Sequence, residues 1–153
     1  MPDIEYAFLA DAASAVPGEK FSILGGGVNQ ISGPGFPLRH PHLALVVGLR
    51  VTAAETDREH DLRFVLLDPG GNQVAEAGAQ VTAHGQAQGR DVVLTMAIDI
   101  WNLTFPAPGE YSFRLLVGGS ERKQLPLIIG TTPEGPYVGS HAPGARPDRS
   151  YDA

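Results

Sequence analysis

Three of the five histidines fall where a metal ion could be held. His40-Pro41-His42 has the i, i+2 spacing that sets two imidazoles on one face of an extended chain. His60, or Asp61, would complete three ligands for zinc or another divalent ion. Yet Pro41 marks the entrance to a strand, and nothing in the spacing brings His60 near the pair. The expectation is an exposed histidine pair at a strand end, with no bound metal and no cofactor. Glu55, Asp57, Glu59 and Asp61 share one loop, and Asp68 and Asn72 another. Calcium takes oxygens of this kind, but the EF-hand pattern is absent and Arg58 interrupts the run. A solvated hairpin tip is the expected reading.

Gly25-Gly26-Gly27 after a strand invites comparison with a phosphate loop. Such a loop needs Lys-Ser/Thr after its last glycine and a helix N-terminus at the phosphate. Val28-Asn29-Gln30-Ile31 follows instead, so a strand bend or bulge is expected. Nucleophilic catalysis finds no cysteine and no G-x-S-x-G. A triad or a carboxylate pair that converges only in space leaves no trace in spacing. The chain is therefore expected not to be an enzyme.

Trp101 is the most suggestive side chain. On alternation it shares the outward face with Thr95 and Asp99, and Phe105 lies just past it beside Pro106. An exposed Trp stacks on a sugar ring or anchors a protein partner. A bulge near Asn102 that turns Trp101 into the rim of the core is the plainer expectation.

The elements that must position these residues are strands. Helical periodicity is nearly absent, and apolar residues alternate in short runs separated by turn signals. The runs predict about eight strands. The first covers 4–12 and ends before Val16-Pro17-Gly18-Glu19; the second starts at Lys20 and runs into the glycines. The third, 42–53, turns Leu43, Leu45, Val47, Leu49 and Val51 to one face. The fourth, 60–68, carries Leu62, Phe64 and Leu66 inward and stops at Asp68-Pro69-Gly70-Gly71-Asn72. An Ala-rich fifth, 73–83, belongs at an edge. The sixth, 91–102, faces Val92, Leu94, Met96, Ile98 and Ile100 inward. The seventh carries Tyr111, Phe113, Leu115 and Val117 inward, and the eighth Leu125, Leu127 and Ile129. Pro126 has no amide hydrogen, which suits an edge. Short strands joined by hairpins predict an all-β fold: a single antiparallel sandwich over 1–130. Residues 131–153 lose all apolar period and read as a Pro/Gly-rich tail, extended or disordered unless docked.

The same alternation leaves Val46, Val65, Leu67, Leu116 and Ile128 on outward faces. Several such residues on neighbouring strands would form a patch that needs cover from a tail, a loop or another subunit, unless bulges shift the parity of these strands.

Composition narrows the partners. Eleven basic against seventeen acidic residues give a formal net charge of -6. Nucleic acid and anionic membrane surfaces are held by clustered Lys and Arg, and the only adjacent basic pair is Arg122-Lys123. Neither is expected as a partner. No basic residue precedes Lys20, so no secretory signal is expected and the cytoplasm is the expected location. Arg in excess of Lys, with abundant Ala, Gly and Pro, suggests a GC-rich bacterial source.

Two segments resemble the terminal hairpins of bacterial immunoglobulin-like or fibronectin-like sandwiches: DLRFVLLDPGGNQV (61–74) and FPAPGEYSFRLLVGGSERKQLPLII (105–129). The Pro-Gly-x-Tyr at 108–111 is similar to their corner before a late strand. With YAFLADAA (6–13), GEKFSILGGGVNQI (18–31) and FPLRHPHLALVVGL (36–49), the pattern over 4–130 resembles an uncharacterised family of small bacterial proteins. That resemblance implies one bacterial domain and carries no activity or site residues. The cysteine pair of antibody domains is missing. The expected function is a non-catalytic module that binds a protein partner or itself, with a carbohydrate or small-ligand module using Trp101 and Phe105 as the alternative and a metal-dependent enzyme as the third reading.

Overall fold

The computed structural model describes residues 1–16, 20–84 and 89–132. The expected tail, from 133 onward, and Pro17-Gly18-Glu19 of the first expected turn lie outside these residues. The described residues form nine strands: β1 (Asp3–Ser14), β2 (Ser22–Gly26), β3 (Gln30–Gly33), β4 (Leu38–Val51), β5 (Glu59–Leu67), β6 (Gln73–Thr82), β7 (Val92–Phe105), β8 (Gly109–Val117) and β9 (Ser120–Thr131). The one helical piece among the described residues is a 3₁₀ turn, Ala53–Glu55. No helix among them is long and apolar enough to cross a membrane.

The strands form two sheets, ordered β2-β1-β4-β7 and β3-β9-β8-β5-β6. The second sheet curls like half a barrel. All pairings are antiparallel except that of β3 with β9, which run parallel, Gln30 opposite Ile128 and Gly33 opposite Thr131. The expected wholly antiparallel sheet is corrected at this point. A four-residue strand with one buried aliphatic side chain, Ile31, leaves too little alternation to be read from sequence. As expected, β6 lies at a sheet edge. The strand of Pro126, expected at an edge, is corrected: β9 lies between β3 and β8, but Pro126 precedes the segment that β3 pairs, so its missing amide hydrogen costs no ladder bond on that side.

Between the sheets lie the expected inward residues of β4, β5, β8 and β9. Leu43, Leu45, Val47, Leu49, Leu66, Phe113, Leu115 and Leu127 are essentially inaccessible. Each such side chain contributes roughly 1.5–3 kcal/mol relative to exposure. Tyr111 is equally buried, and its hydroxyl donates to the carbonyl of Ala107 at 2.7 Å, so the phenol enters the core with its polar end satisfied.

Strand β4 is also closed on its other face. Ala44, Val46 and Gly48 alternate with the core leucines and valines and are themselves buried. The Tyr6 ring of β1 lies across Gly48, where a Cβ would overlap it. Tyr6 in turn stacks on Phe21 at 5.9 Å and Phe8 at 6.4 Å. Val46, expected on an exposed outward face, is therefore corrected: it does point away from the core, but Phe8 and Ala97 flank it and it has no accessible surface.

Gly48→Ala forces the Tyr6 ring out of its place and is expected to cost about 1–3 kcal/mol. Combined with Tyr6→Ala, the added methyl is accommodated, so the double variant loses less than the sum of the singles. Urea unfolding of the four proteins measures this coupling.

Candidate functional site

The chemistry-bearing residues of the first sheet meet where β4 and β7 change direction. Along their whole ladder the two strands keep one register, from Leu38 opposite Phe105 to Val51 opposite Val92. Pro41 and Asn102 face each other without pairing, and Asn102 adopts a left-handed φ of 54°. Both strands reverse their facing there. Above it the inward residues are Leu43 and Ile100; below it they are Leu38, Leu103 and Phe105. Arg39 Nη2 donates to Asn102 Oδ1 at 2.7 Å and holds the turned backbone.

This switch decides the fate of two expected binding residues. Trp101 precedes it and stays outward, 65% exposed. The expected bulge is corrected: the register runs unbroken through Asn102, only the facing changes there, and Trp101 is not turned into the core rim. Phe105 follows the switch and is fully buried, edge-on to Tyr111 at 5.1 Å. A platform shared by Trp101 and Phe105 is thus corrected: the two rings lie on opposite faces.

Beside Trp101, the His42 ring sits 4.2 Å away, centroid to centroid. His42 Nδ1 lies 2.8 Å from the Asp11 carbonyl, and Nε2 lies 2.7 Å from Asp99 Oδ1. Both partners are oxygens, so each ring nitrogen is turned into a contact within the fold. The ring ties β1, β4 and β7 together and has no lone pair facing out as a metal ligand.

His40 sits instead beside a surface groove of about 470 Å³ with Asp11 and the Gly25–Ser32 segment. That groove joins two features that are separate in sequence, the glycine run and a histidine. Yet the N–H groups of Gly27 and Val28 both donate to the carbonyl of Leu9, at 2.8 and 3.0 Å. A Cβ on Gly25 would strike the Asp11 carboxylate. Amides so engaged, beside a carboxylate, form a poor phosphate cradle.

His60 belongs to the other sheet and its Nε2 lies 2.9 Å from the Glu55 carbonyl. The candidate three-ligand set is not assembled, and among the described residues no group of three His, Asp or Glu is placed to hold a metal ion. Glu55 itself is engaged with the Met1 ammonium and accepts from the Thr52 amide at 2.9 Å. The ammonium above all, then the amide, hold its carboxyl down to about 2. Asp68 likewise serves its own turn, accepting the Asn72 amide at 2.8 Å.

The outward residues of the second sheet are interleaved with charge. Arg63 pairs with Glu76 on β6 and Arg114 with Glu121 on β9, and Arg63 holds the Glu76 carboxyl below the usual range. Val65, Leu67 and Leu116 between them are half-buried, whereas Ile128 is 51% exposed. Sequence reasoning missed a different feature. Strands β6 and β7 end their sheets on the same side of the molecule and flank a groove of about 420 Å³. It is lined by Phe64, Val74, Ala75 and Ala77 on one side and by Asp99 through Thr104 on the other. The length and apolar character of the 91–102 run, with no Lys or Pro in it, was the available signal.

The molecule is an all-β protein of two sheets with a tryptophan-bearing open edge. The chain belongs to DUF6941, a family of unknown function, whose model matches residues 5–130. No curated protein matches it. Among solved structures it is similar to the alkylpurine DNA glycosylase AlkC of Pseudomonas fluorescens bound to DNA containing an abasic site analog. That match has 14% identity and a TM-score of 0.46, covering 84% of this chain and 30% of that one. It is also similar to a beta-glucosidase of Listeria innocua in complex with isofagomine, at 11% identity and a TM-score of 0.41, covering 82% of this chain and 16% of that one. The chain thus spans under a third of either protein, and likenesses this remote carry no argument about its activity.

Trp101 is the sole tryptophan. At high dilution its emission is expected at long wavelength and readily quenched by iodide; short-wavelength, quencher-resistant emission would contradict its exposed position. Glu55 gives a pH prediction. Its folded value lies below that of the unfolded chain, about 4.3, so its contribution is complete above that pH and fades as pH falls toward 2. Allowing for solvent screening of a surface pair, Glu55→Gln is expected to cost about 1 kcal/mol at pH 7. It should cost almost nothing at pH 2, as read by urea unfolding at both values.

Proposed function

We propose that this chain is a non-catalytic, immunoglobulin-like β-sandwich module that binds a protein partner or another copy of itself. The observation that carries the reading is the free edge of β7. This strand has 14 residues, hydrogen-bonds among the described residues to β4 on one side only, and shows Trp101 and Val93 at 65% and 44% exposure. Unpaired edges of this length and apolarity template the addition of another strand. The other polar features that sequence singles out are engaged within the fold: His42 joins three strands, Asp68 closes a turn, and the glycine-loop amides cap Leu9.

The immunoglobulin-like part of the reading rests on strand order and one corner. The sequence β9-β8-β5, extended by β6, corresponds to the G-F-C order with an added C′ strand, and β4 beside β7 corresponds to B and E. Tyr111, near the start of β8, bonds back to Ala107 as the tyrosine of such a corner does. The small-ligand alternative keeps Trp101 alone, since Phe105 is enclosed.

Native mass spectrometry of the protein from its own source, beside its denatured mass, tests the reading. A defined oligomer or a stoichiometric second chain is expected. Val93→Arg should remove it, whereas Leu67→Asp and Leu116→Asp, on the other sheet, should not. A bare monomer with no companion chain would overturn the proposal.

A further inference from the structure

The pattern of β7 is self-complementary, and we propose that its free edge pairs antiparallel with β7 of a second copy about a two-fold axis at Ala97. This deepens the reading of that edge as a contact surface and rests on it. A closed two-fold contact requires each residue to face its own mirror position across the axis. Directly opposed residues in an antiparallel pair share one face of the sheet, so the axis must fall on a residue and not between two.

The register follows from charge and size. Only one charged residue, Asp99, lies within β7, and Asp91 immediately precedes it. An axis at Thr95 opposes Asp99 to Asp91, and an axis at Asp99 opposes that carboxylate to itself; both place like charges together. With the axis at Ala97, Asp99 meets Thr95 of the second copy, and Trp101 meets Val93. These last are the two large apolar side chains that β7 exposes. Ala97, the smallest side chain of the strand, lies at the axis, where the two copies come closest. On the inner face Leu94 meets Ile100 and Met96 meets Ile98.

The inner face supplies a second observation. Leu94, Met96 and Ile98 point toward the core yet remain only half-buried. Among the described residues, no strand pairs with β7 beyond its edge. A second β7 would cover these flanks and join the two four-stranded sheets into one of eight strands. The protections found on exposed edges, such as lysine, proline or a bulge, are missing from Val92 through Ile100. The one charge there, Asp99, is tied to His42.

The absence of native cysteine allows a direct test on the full chain. Opposed residues stand about 4.5–5.5 Å apart at Cβ, near enough for a disulfide after small adjustment. Ala97→Cys should oxidise rapidly to a linked dimer. Val93→Cys and Trp101→Cys should each stay unlinked alone and cross-link when mixed, a result that does not depend on Ala97→Cys folding. In light scattering the unmodified chain should be a dimer, and Val93→Arg should raise its dissociation constant at least about tenfold. Iodide quenching of Trp101 should fall as concentration rises. A dimer lacking these links would overturn the β7 pairing and leave self-association standing. A monomer at about 100 µM that still carries a companion chain from its source would overturn the pairing and leave partner binding standing. A monomer with no companion would overturn both.

Discussion

Burial of β4 on both faces is the constraint from which the arrangement follows. A strand at the centre of a two-layer fold ordinarily shows one face to water. Here Leu43 to Leu49 has no accessible residue, because core side chains lie on one side and Ala44, Val46 and Gly48 on the other. Small residues on the outer side let Tyr6 lie flat across the backbone, and Phe8 and Phe21 extend that cover. Strand β1 is thus a cover as well as a neighbour. The hydroxyl groups of Tyr6 and Thr95 meet over the sheet, which brings β7 into the same assembly. Removing the space at Gly48 would disturb three strands at once.

The second determinant is the paired irregularity at Pro41 and Asn102. A one-sided bulge would shift the register of the strands it separates; here the register is the same on both sides and only the facing changes. The result is that a single strand carries an exposed indole at 101 and a fully buried phenyl at 105. His42 lies on the exposed side of this switch. Its two hydrogen bonds to Asp11 and Asp99 fix the position of the indole by fixing the ring beneath it. The exposed tryptophan is therefore set on a supported surface, which lowers the entropy lost when it meets a partner.

Alternation made much of this architecture legible. The inward residues of β5, β8 and β9 are those that a period of two assigns, because each strand has one wet face and one dry face. The same rule fails on β4, where Val46 is apolar and outward yet covered. Period reports which residues share a face and not what lies against that face. It also fails past Asn102, where both strands reverse their facing together and Phe105 is turned away from Trp101. Strand β3 escaped because four residues with one buried aliphatic side chain are too few to alternate. His42 was visible as a candidate, but its partners come from β1 and β7, and that tertiary convergence has no signature in spacing. The free edge was half legible: the apolar run was plain, but edge position depends on sheet order.

The two neighbouring edges differ in a way that bears on function. Strand β6 is rich in Ala and Gly, exposed for most of its length, and braced by the Arg63–Glu76 ion pair on its partner strand. Poor side-chain packing gives a foreign strand little to hold beyond backbone hydrogen bonds. Strand β7 presents β-branched and large apolar residues on both faces, and pairs with β4 along its whole length. It is therefore rigidly held on one side and open on the other, and the ordering of its backbone is already complete before any partner arrives. Where both edges stand free, the one with ordered backbone and apolar flanks gains more from an added strand. That asymmetry makes β7 the preferred edge and leaves β6 to wall the groove beside it.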